Sequence, residues 1–138
     1  MIKHTTQIRV RYAETDQMKV VYYANYFVYF ETGRTELLRS LGLPYSEFEK
    51  MGYILPVIEA HANYYKSASY DHSINIITTL REIPTVKIRL DYEVKNPVTN
   101  ELIADGYTVH SFVNSETRKP TRAPSVFLKT IEKAFNKK

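Results

Sequence analysis

From about Tyr23 to Ser40 the apolar residues change period. Phe27, Phe30, Leu37, Leu38 and Leu41 fall near helical spacing, with Glu31, Arg34, Glu36 and Arg39 elsewhere on the wheel. Gly42 is a stop signal, and Pro44 follows it. A helix of this length is large for a chain of 138 residues, so it is expected to lie across a sheet as the central core element. Gly33 sits in its middle, near the apolar stripe, where glycine costs about 1 kcal/mol relative to alanine. A close approach to that sheet would offset the cost.

Elsewhere the pattern is that of strands. Thr5 to Tyr12 alternates, with Ile8, Val10 and Tyr12 on one side. Ala13 to Val20 is polar and irregular. Tyr45 to Met51 reads as a short helix or turn with Ser46 as a cap, and Val57 to Lys66 as extended with imperfect alternation. Ser73 to Leu80 is strongly β-prone, and Val86 to Lys95 alternates cleanly. Asn96 to Asn100 forms a turn, and Glu101 to Asn114 returns to complete a hairpin. Gly106 marks a bulge or a close backbone approach. Ser125 to Phe135 is a short amphipathic helix with Phe127, Ile131 and Phe135 on one stripe. One long helix and a mostly antiparallel sheet make an α+β fold, read as one domain over residues 1–138.

Composition narrows the function. The chain is 43% hydrophobic and 25% charged, as in a soluble globular protein. No apolar run approaches the roughly 20 residues of a membrane helix, and the first residues lack a signal-peptide core, so a cytoplasmic protein is the expectation. Zero cysteines exclude disulfides and thiolate chemistry. His4, His61, His72 and His110 show no paired metal-ligand spacing, so no metal is expected. Four glycines, at 33, 42, 52 and 106, write no phosphate-cradling loop. The net charge of +4 is scattered, which argues against a nucleic-acid partner.

One acid remains. Asp16 lies in a short polar segment, with Val20, Val21, Tyr22 and Tyr23 immediately after it and the long helix just beyond. A Thr-Asp pair in this position can be a simple turn or cap. Apolar and aromatic flanks also suit a desolvated carboxylate, a stronger base or nucleophile than a solvated one. Free amides at the helix start could hold the negative charge of a carbonyl under attack. Those two parts suffice for cleavage of an activated ester.

The stretch YAETDQMKVVYYANYFVYFETGRTELLRSLG resembles the hotdog-fold acyl-CoA thioesterases of the 4-hydroxybenzoyl-CoA thioesterase type. The likeness continues through VIEAHANYYKSASYDHSINIITTL and the final hairpin. It implies a long helix wrapped by an antiparallel sheet, and hydrolysis of an acyl-CoA to a carboxylic acid and free coenzyme A. By position, Asp16 is the nucleophile or general base, and a backbone amide at or near Tyr23 polarises the thioester carbonyl. Asn25 and Tyr26 match the motif without an independent role. The resemblance further implies a homodimer joined edge to edge, commonly paired into a tetramer, with sites at the subunit interface. No cofactor is needed, because coenzyme A is part of the substrate. Lys66, Arg89 and Arg118 are candidates to meet its phosphates, with Lys87, Lys119 and Arg122 behind them.

Two departures stand out. Lys19 occupies a position where the family usually carries glycine, so the loop is expected to be reshaped, or Lys19 to reach the substrate. Ser67 stands where proline is common. Two other readings stay open: a hotdog-fold hydratase or dehydratase, which would need a histidine paired with an acid, and a non-catalytic module binding coenzyme A esters.

Overall fold

The computed structural model describes residues 1–137. The elements run β1 (Ile2–Arg9), α1 (Asn25–Ser40), α2 (Tyr45–Lys50), β2 (Tyr53–Ile54), β3 (Val57–Tyr64), β4 (Ser73–Leu80), β5 (Lys87–Lys95), β6 (Leu102–Ser111), β7 (Val113–Asn114) and α3 (Ser125–Asn136). Five strands form one sheet in the order β1-β4-β5-β6-β3, and every neighbouring pair is antiparallel. β2 and β7 pair as a small separate ladder. This is the expected α+β hotdog arrangement, with α1 lying on one face of the sheet.

Alternation explains which face. Ile74, Ile76 and Leu80 on β4, Ile88, Leu90, Tyr92 and Val94 on β5, and Ala104 and Thr108 on β6 are all buried. Their odd-numbered neighbours on β5 are exposed or half-buried. Side chains of a strand alternate between faces, so one face receives the helix and the other stays polar. From α1, the Phe30 ring stacks on Tyr92 at 4.4 Å with the planes 4° apart. Full burial of such a ring is worth roughly 1.5–3 kcal/mol.

Two glycines set how near the layers come. A Cβ on Gly33 would lie 2.4 Å from Thr78 Oγ1 and 2.8 Å from Ile76 Cγ2. One on Gly106 would lie 2.1 Å from the His61 carbonyl oxygen and 2.9 Å from Phe30 Cε2. Both are close approaches, as expected for Gly33. At Gly106 the register across β3 and β5 is unbroken, so of the two expectations there the bulge is the one not realised.

Some boundaries differ from the sequence reading. β1 begins and ends three residues earlier, and Tyr12–Glu14 closes into a 3₁₀ turn stapled by Arg11 and Glu14. Tyr12 is therefore exposed rather than on the buried side. The α2 helix starts from Pro44, whose extended backbone occupies the cap position; Ser46 is not a cap. The last strand breaks at Phe112, which leaves the ladder to pack against Phe127 at 5.4 Å, while Phe48 meets Phe127 at 5.2 Å. These three rings pin α2 and α3 to the far end of the sheet.

A polar chain crosses the core behind Tyr92. Its phenol and the Thr108 hydroxyl are 2.6 Å apart, Thr108 Oγ1 and His110 Nε2 2.9 Å, and His110 Nδ1 and the Leu55 carbonyl 3.1 Å. A carbonyl only accepts, so Nδ1 carries the proton and Nε2 accepts from Thr108, which in turn accepts from Tyr92. His110 is neutral by this geometry. Burial, with a smaller push from the Arg34 charge, takes its pKa down from 6.5 to about 4, against a partial offset from the Leu55 hydrogen bond.

Two outcomes follow from this packing. Gly33→Ala should lower stability by about 2 kcal/mol despite alanine's better helix propensity, because the layers cannot separate locally. A thermal melt no lower than wild type would show that the helix can lift. For His110, the unfolded state binds the proton first as pH falls, so its contribution is lost between pH 6.5 and about 4. The stability difference between wild type and His110→Asn should change across that window and be flat above pH 7. A difference constant from pH 4 to 8 would contradict a buried neutral imidazole.

Candidate active site

The segment before α1 is held from both sides. Thr15 bridges Val21, and Val20 bridges Ser69. The Asp16 amide donates to the Val20 carbonyl at 2.9 Å, and the Lys19 amide to the Asp16 carbonyl at 3.0 Å, closing a tight turn over residues 16–19. Within it Asp16 Oδ1 accepts the Met18 amide at 2.8 Å. That bond orients the carboxylate and leaves its other oxygen without a partner among the described residues.

Lys19 takes φ +64. Lysine here adopts the left-handed conformation, at a cost of roughly 1–2 kcal/mol, and its carbonyl accepts the Tyr70 amide at 3.2 Å.

The next residues lead into the helix. The Val21 amide donates to Ala68 and the Tyr22 amide to the Glu14 carbonyl, at 2.8 and 2.9 Å. The Asn25 amide donates to Tyr22 at 2.9 Å, the Tyr26 amide to Tyr23 at 3.3 Å and the Phe27 amide to Ala24 at 3.2 Å. The amides of Tyr23 and Ala24 have no acceptor among the described residues. Ala24, at the cap position, supplies no side-chain cap. Two donors therefore stand open at the helix start, as the sequence reading required.

Glu14, which that reading passed over, organises this entry. Its Oε1 accepts the Arg11 amide at 2.8 Å and the Tyr29 hydroxyl at 3.0 Å, and its Oε2 accepts Arg11 Nε at 3.1 Å. Its backbone carbonyl also accepts Asn25 Nδ2 at 2.9 Å, which gives Asn25 a role in tying helix to loop. Burial raises the Tyr29 phenol, and the Glu14 carboxylate raises it further. Tyr26, buried beside Tyr64, rises to about 12. A Glu two residues before Asp16 is the only signal the sequence carried.

Around this loop the surface is aromatic and open. Tyr12, Met18 and Tyr23 are 73%, 81% and 60% exposed. Tyr64, at the end of β3, donates its hydroxyl to the Tyr23 carbonyl at 3.3 Å. Asp16 itself is exposed. The expectation of a carboxylate desolvated by its own chain is corrected here: Val20 and Val21 turn inward and leave Asp16 at the surface.

The three expected phosphate-binding residues are not brought together. Lys66 follows β3 and pairs with Glu101 at 3.1 Å, which holds that carboxyl below its usual range. Arg89 lies on the outer face of β5, 3.2 Å from Asp91 and 3.9 Å above the Tyr107 ring. With Arg81 and Lys87 it lines a groove of about 530 Å³. Arg118 stands in the turn after β7 at φ +62. The Lys66 amide meets Ile103 and Arg89 pairs with Val109, six residues apart on β6 and so roughly 20 Å. His61 is exposed, beside Asn63 Oδ1 at 3.2 Å, and Glu59 accepts the Tyr107 hydroxyl.

Comparison with known proteins adds to this geometry. The family model described as thioesterase-like superfamily matches residues 10–131. YneP of Bacillus subtilis, whose name provisionally assigns it acyl-CoA thioesterase activity, is 38% identical over 88% of this chain and 87% of its own length. Acyl-CoA thioesterase YbgC of Helicobacter pylori is 29% identical over 86% of this chain and 92% of that protein. Among solved structures, a DHNA-CoA thioesterase from Staphylococcus aureus superposes with a TM-score of 0.91 at 32% identity, covering 99% of this chain and 93% of that one.

The Lys19 backbone generates a further expectation. Lys19→Gly should raise stability by about 1 kcal/mol, the left-handed strain removed less the extra chain entropy of glycine. A chemical-denaturation midpoint unchanged or lowered would mean that the lysine side chain stabilises the turn.

Proposed function

The chain belongs to the thioesterase-like superfamily, and we propose from that premise that it hydrolyses an acyl-CoA thioester to a carboxylic acid and free coenzyme A. The observation that carries the reading is the pair of open amides at Tyr23 and Ala24, immediately after the short ladder that closes the Asp16 turn. A thioester carbonyl oxygen accepting from those amides is polarised, and the negative charge it gains in the transition state is stabilised.

Asp16 then acts in one of two ways. As nucleophile its carboxylate attacks the carbonyl carbon, the carbon–sulfur bond breaks, and coenzyme A leaves as thiolate and takes a proton from solvent. Water then cleaves the acyl-aspartyl anhydride. As general base Asp16 removes a proton from water as the oxygen attacks, and passes it to the leaving sulfur. Neither route needs a cofactor beyond the coenzyme A of the substrate. Arg89, with Arg81 and Lys87 beside one groove, is the cation proposed to meet the phosphates.

The exposure of Asp16 in one chain calls for a second copy. β3 is one of the two edge strands of the sheet and is exposed along nearly its whole length, with Val57 and Ile58 47% and 50% exposed. An open, apolar edge invites strand pairing. β3 runs from Val57, opposite His110, to Tyr64, which touches Tyr23. Antiparallel pairing of two such edges sets each Asp16 turn beside the Val57 end of the other chain, and water leaves the carboxylate there. A homo-oligomer is therefore part of the proposal. A hydratase is disfavoured, because no histidine lies in the Asp16 segment and both ring nitrogens of His110 are committed to the core.

Asp16→Asn should cut thiol release from a panel of acyl-CoA esters by at least about a hundredfold, the scale of losing a catalytic group, with the fold intact by circular dichroism. Turnover near that of wild type would remove Asp16 from the mechanism. Esters that bind without being hydrolysed by either protein would favour a non-catalytic module.

A further inference from the structure

A cavity of about 350 Å³ opens between the second half of α1, the segment leading into β3, and strands β5 and β6. That volume is at the lower end of small-molecule sites. None of the residues singled out above for the reaction lines it. It begins at Glu31, six residues into the helix, roughly 9 Å along the axis from Asn25. Leu38, Leu55, Ile88 and Leu90 make apolar walls.

Its polar groups are unevenly committed. His110 contributes none, since both nitrogens are used. The Tyr45 oxygen accepts the Leu55 amide at 3.3 Å, which leaves its proton free to donate inward. The Thr35 hydroxyl has no partner among the described residues. Arg34 has a side chain only 19% exposed, yet its sole carboxylate is Glu31 at 4.0 Å, and Glu31 is 62% exposed. A largely sheltered guanidinium thus has the neutral Tyr92 phenol beside it, and among the described residues its one carboxylate is at the limit of an ion pair. The cavity therefore has free donors, and its one carboxylate faces solvent.

We propose that this cavity is a binding site for a compact carboxylate, its apolar body between Leu38, Leu55 and Leu90 and its oxygens taken by Arg34, Tyr45 and Thr35. The planar fork of arginine matches a carboxylate in a way that a point charge does not. Glu31 is free to swing into water when the ligand arrives. The assignment stands on the cavity and not on the hydrolysis proposed above. The carboxylate has two sources: a free acid, or the far end of an acyl group derived from a dicarboxylic acid.

The test uses the whole protein with benzoate and hexanoate, and with benzamide and hexanamide as uncharged counterparts. Titration is followed by calorimetry and by backbone amide shifts. The acids should bind, shifting the amides of Thr35 and Leu55, and the amides of the same shape should bind at least about tenfold more weakly. Arg34→Gln should weaken the acids about tenfold, and Thr35→Val, which disturbs no other contact, severalfold. Equal binding of acids and amides to wild type, or shifts confined to another surface, overturns the site even if Arg34→Gln fails to fold. Thiol release from coenzyme A monoesters of a dicarboxylic acid and of a monocarboxylic acid of equal length then separates the sources. A preference of at least about tenfold for the first, lost in Arg34→Gln, places the carboxylate at the far end of the substrate; no preference, with the free acids bound, assigns a free acid. Acid binding without any thioester turnover would end the thioesterase reading and leave the cavity assignment standing.

Discussion

The distance between α1 and its sheet is the constraint on which the molecule rests. Helix and sheet pack with side chains between them unless both surfaces give way, and here they do at Gly33 and Gly106. Removing one Cβ from the helix lets Thr78 and Ile76 rise against its backbone. Removing one from β6 lets Phe30 settle over the strand and stack on Tyr92. Close packing of this kind is hard to relax locally, because neighbouring contacts are already near van der Waals limits. The axis of α1 is therefore fixed along its middle, and with it the place where the helix begins.

A fixed helix start is useful only if the chain entering it is also fixed. Glu14 does this through the 3₁₀ turn, Tyr29 and Asn25. Val21 and Ala68 bring the following loop alongside. The result is a helix entry held by its neighbours rather than by a capping side chain. A serine or aspartate at the cap would have taken the Tyr26 or Phe27 amide, not those of Tyr23 and Ala24. Those two amides stay open to whatever approaches from outside.

The parts of this architecture that were legible from residues are those governed by one local rule. β4 matches its expected limits, and β5 and α3 lie within a residue of theirs, because each has a one-sided alternation or a helical stripe over a buried face. Gly33 announced a close approach because nothing else explains glycine inside a helix. Boundaries failed where tertiary contacts decide. Tyr12 continues the alternation of β1 by sequence, yet Arg11 and Glu14 fold the chain away first. β3 alternates poorly because it is an edge open on both faces, so neither side demands apolar residues. In the candidate site, Asp16 and the helix start were readable from their neighbours in the chain. Glu14 was not, because the partner that ties it to the helix is a phenol fifteen residues later. Nor was the Arg34 cavity, whose walls come from five separate segments.

Lys19 and Asp16 bear on the same question from opposite sides. A left-handed lysine and a surface carboxylate ringed by exposed tyrosines both cost free energy in a lone chain, one through strain and the other through apolar surface left in water. Neither is relieved inside the protomer. The open edge of β3 ends at this loop through Tyr64, so a second chain added along that edge would cover the tyrosines first and the carboxylate with them. Stability and chemistry then draw on one event. In the proposed dimer, the apolar surface that would make association favourable is the same surface whose removal from water would make Asp16 a stronger base.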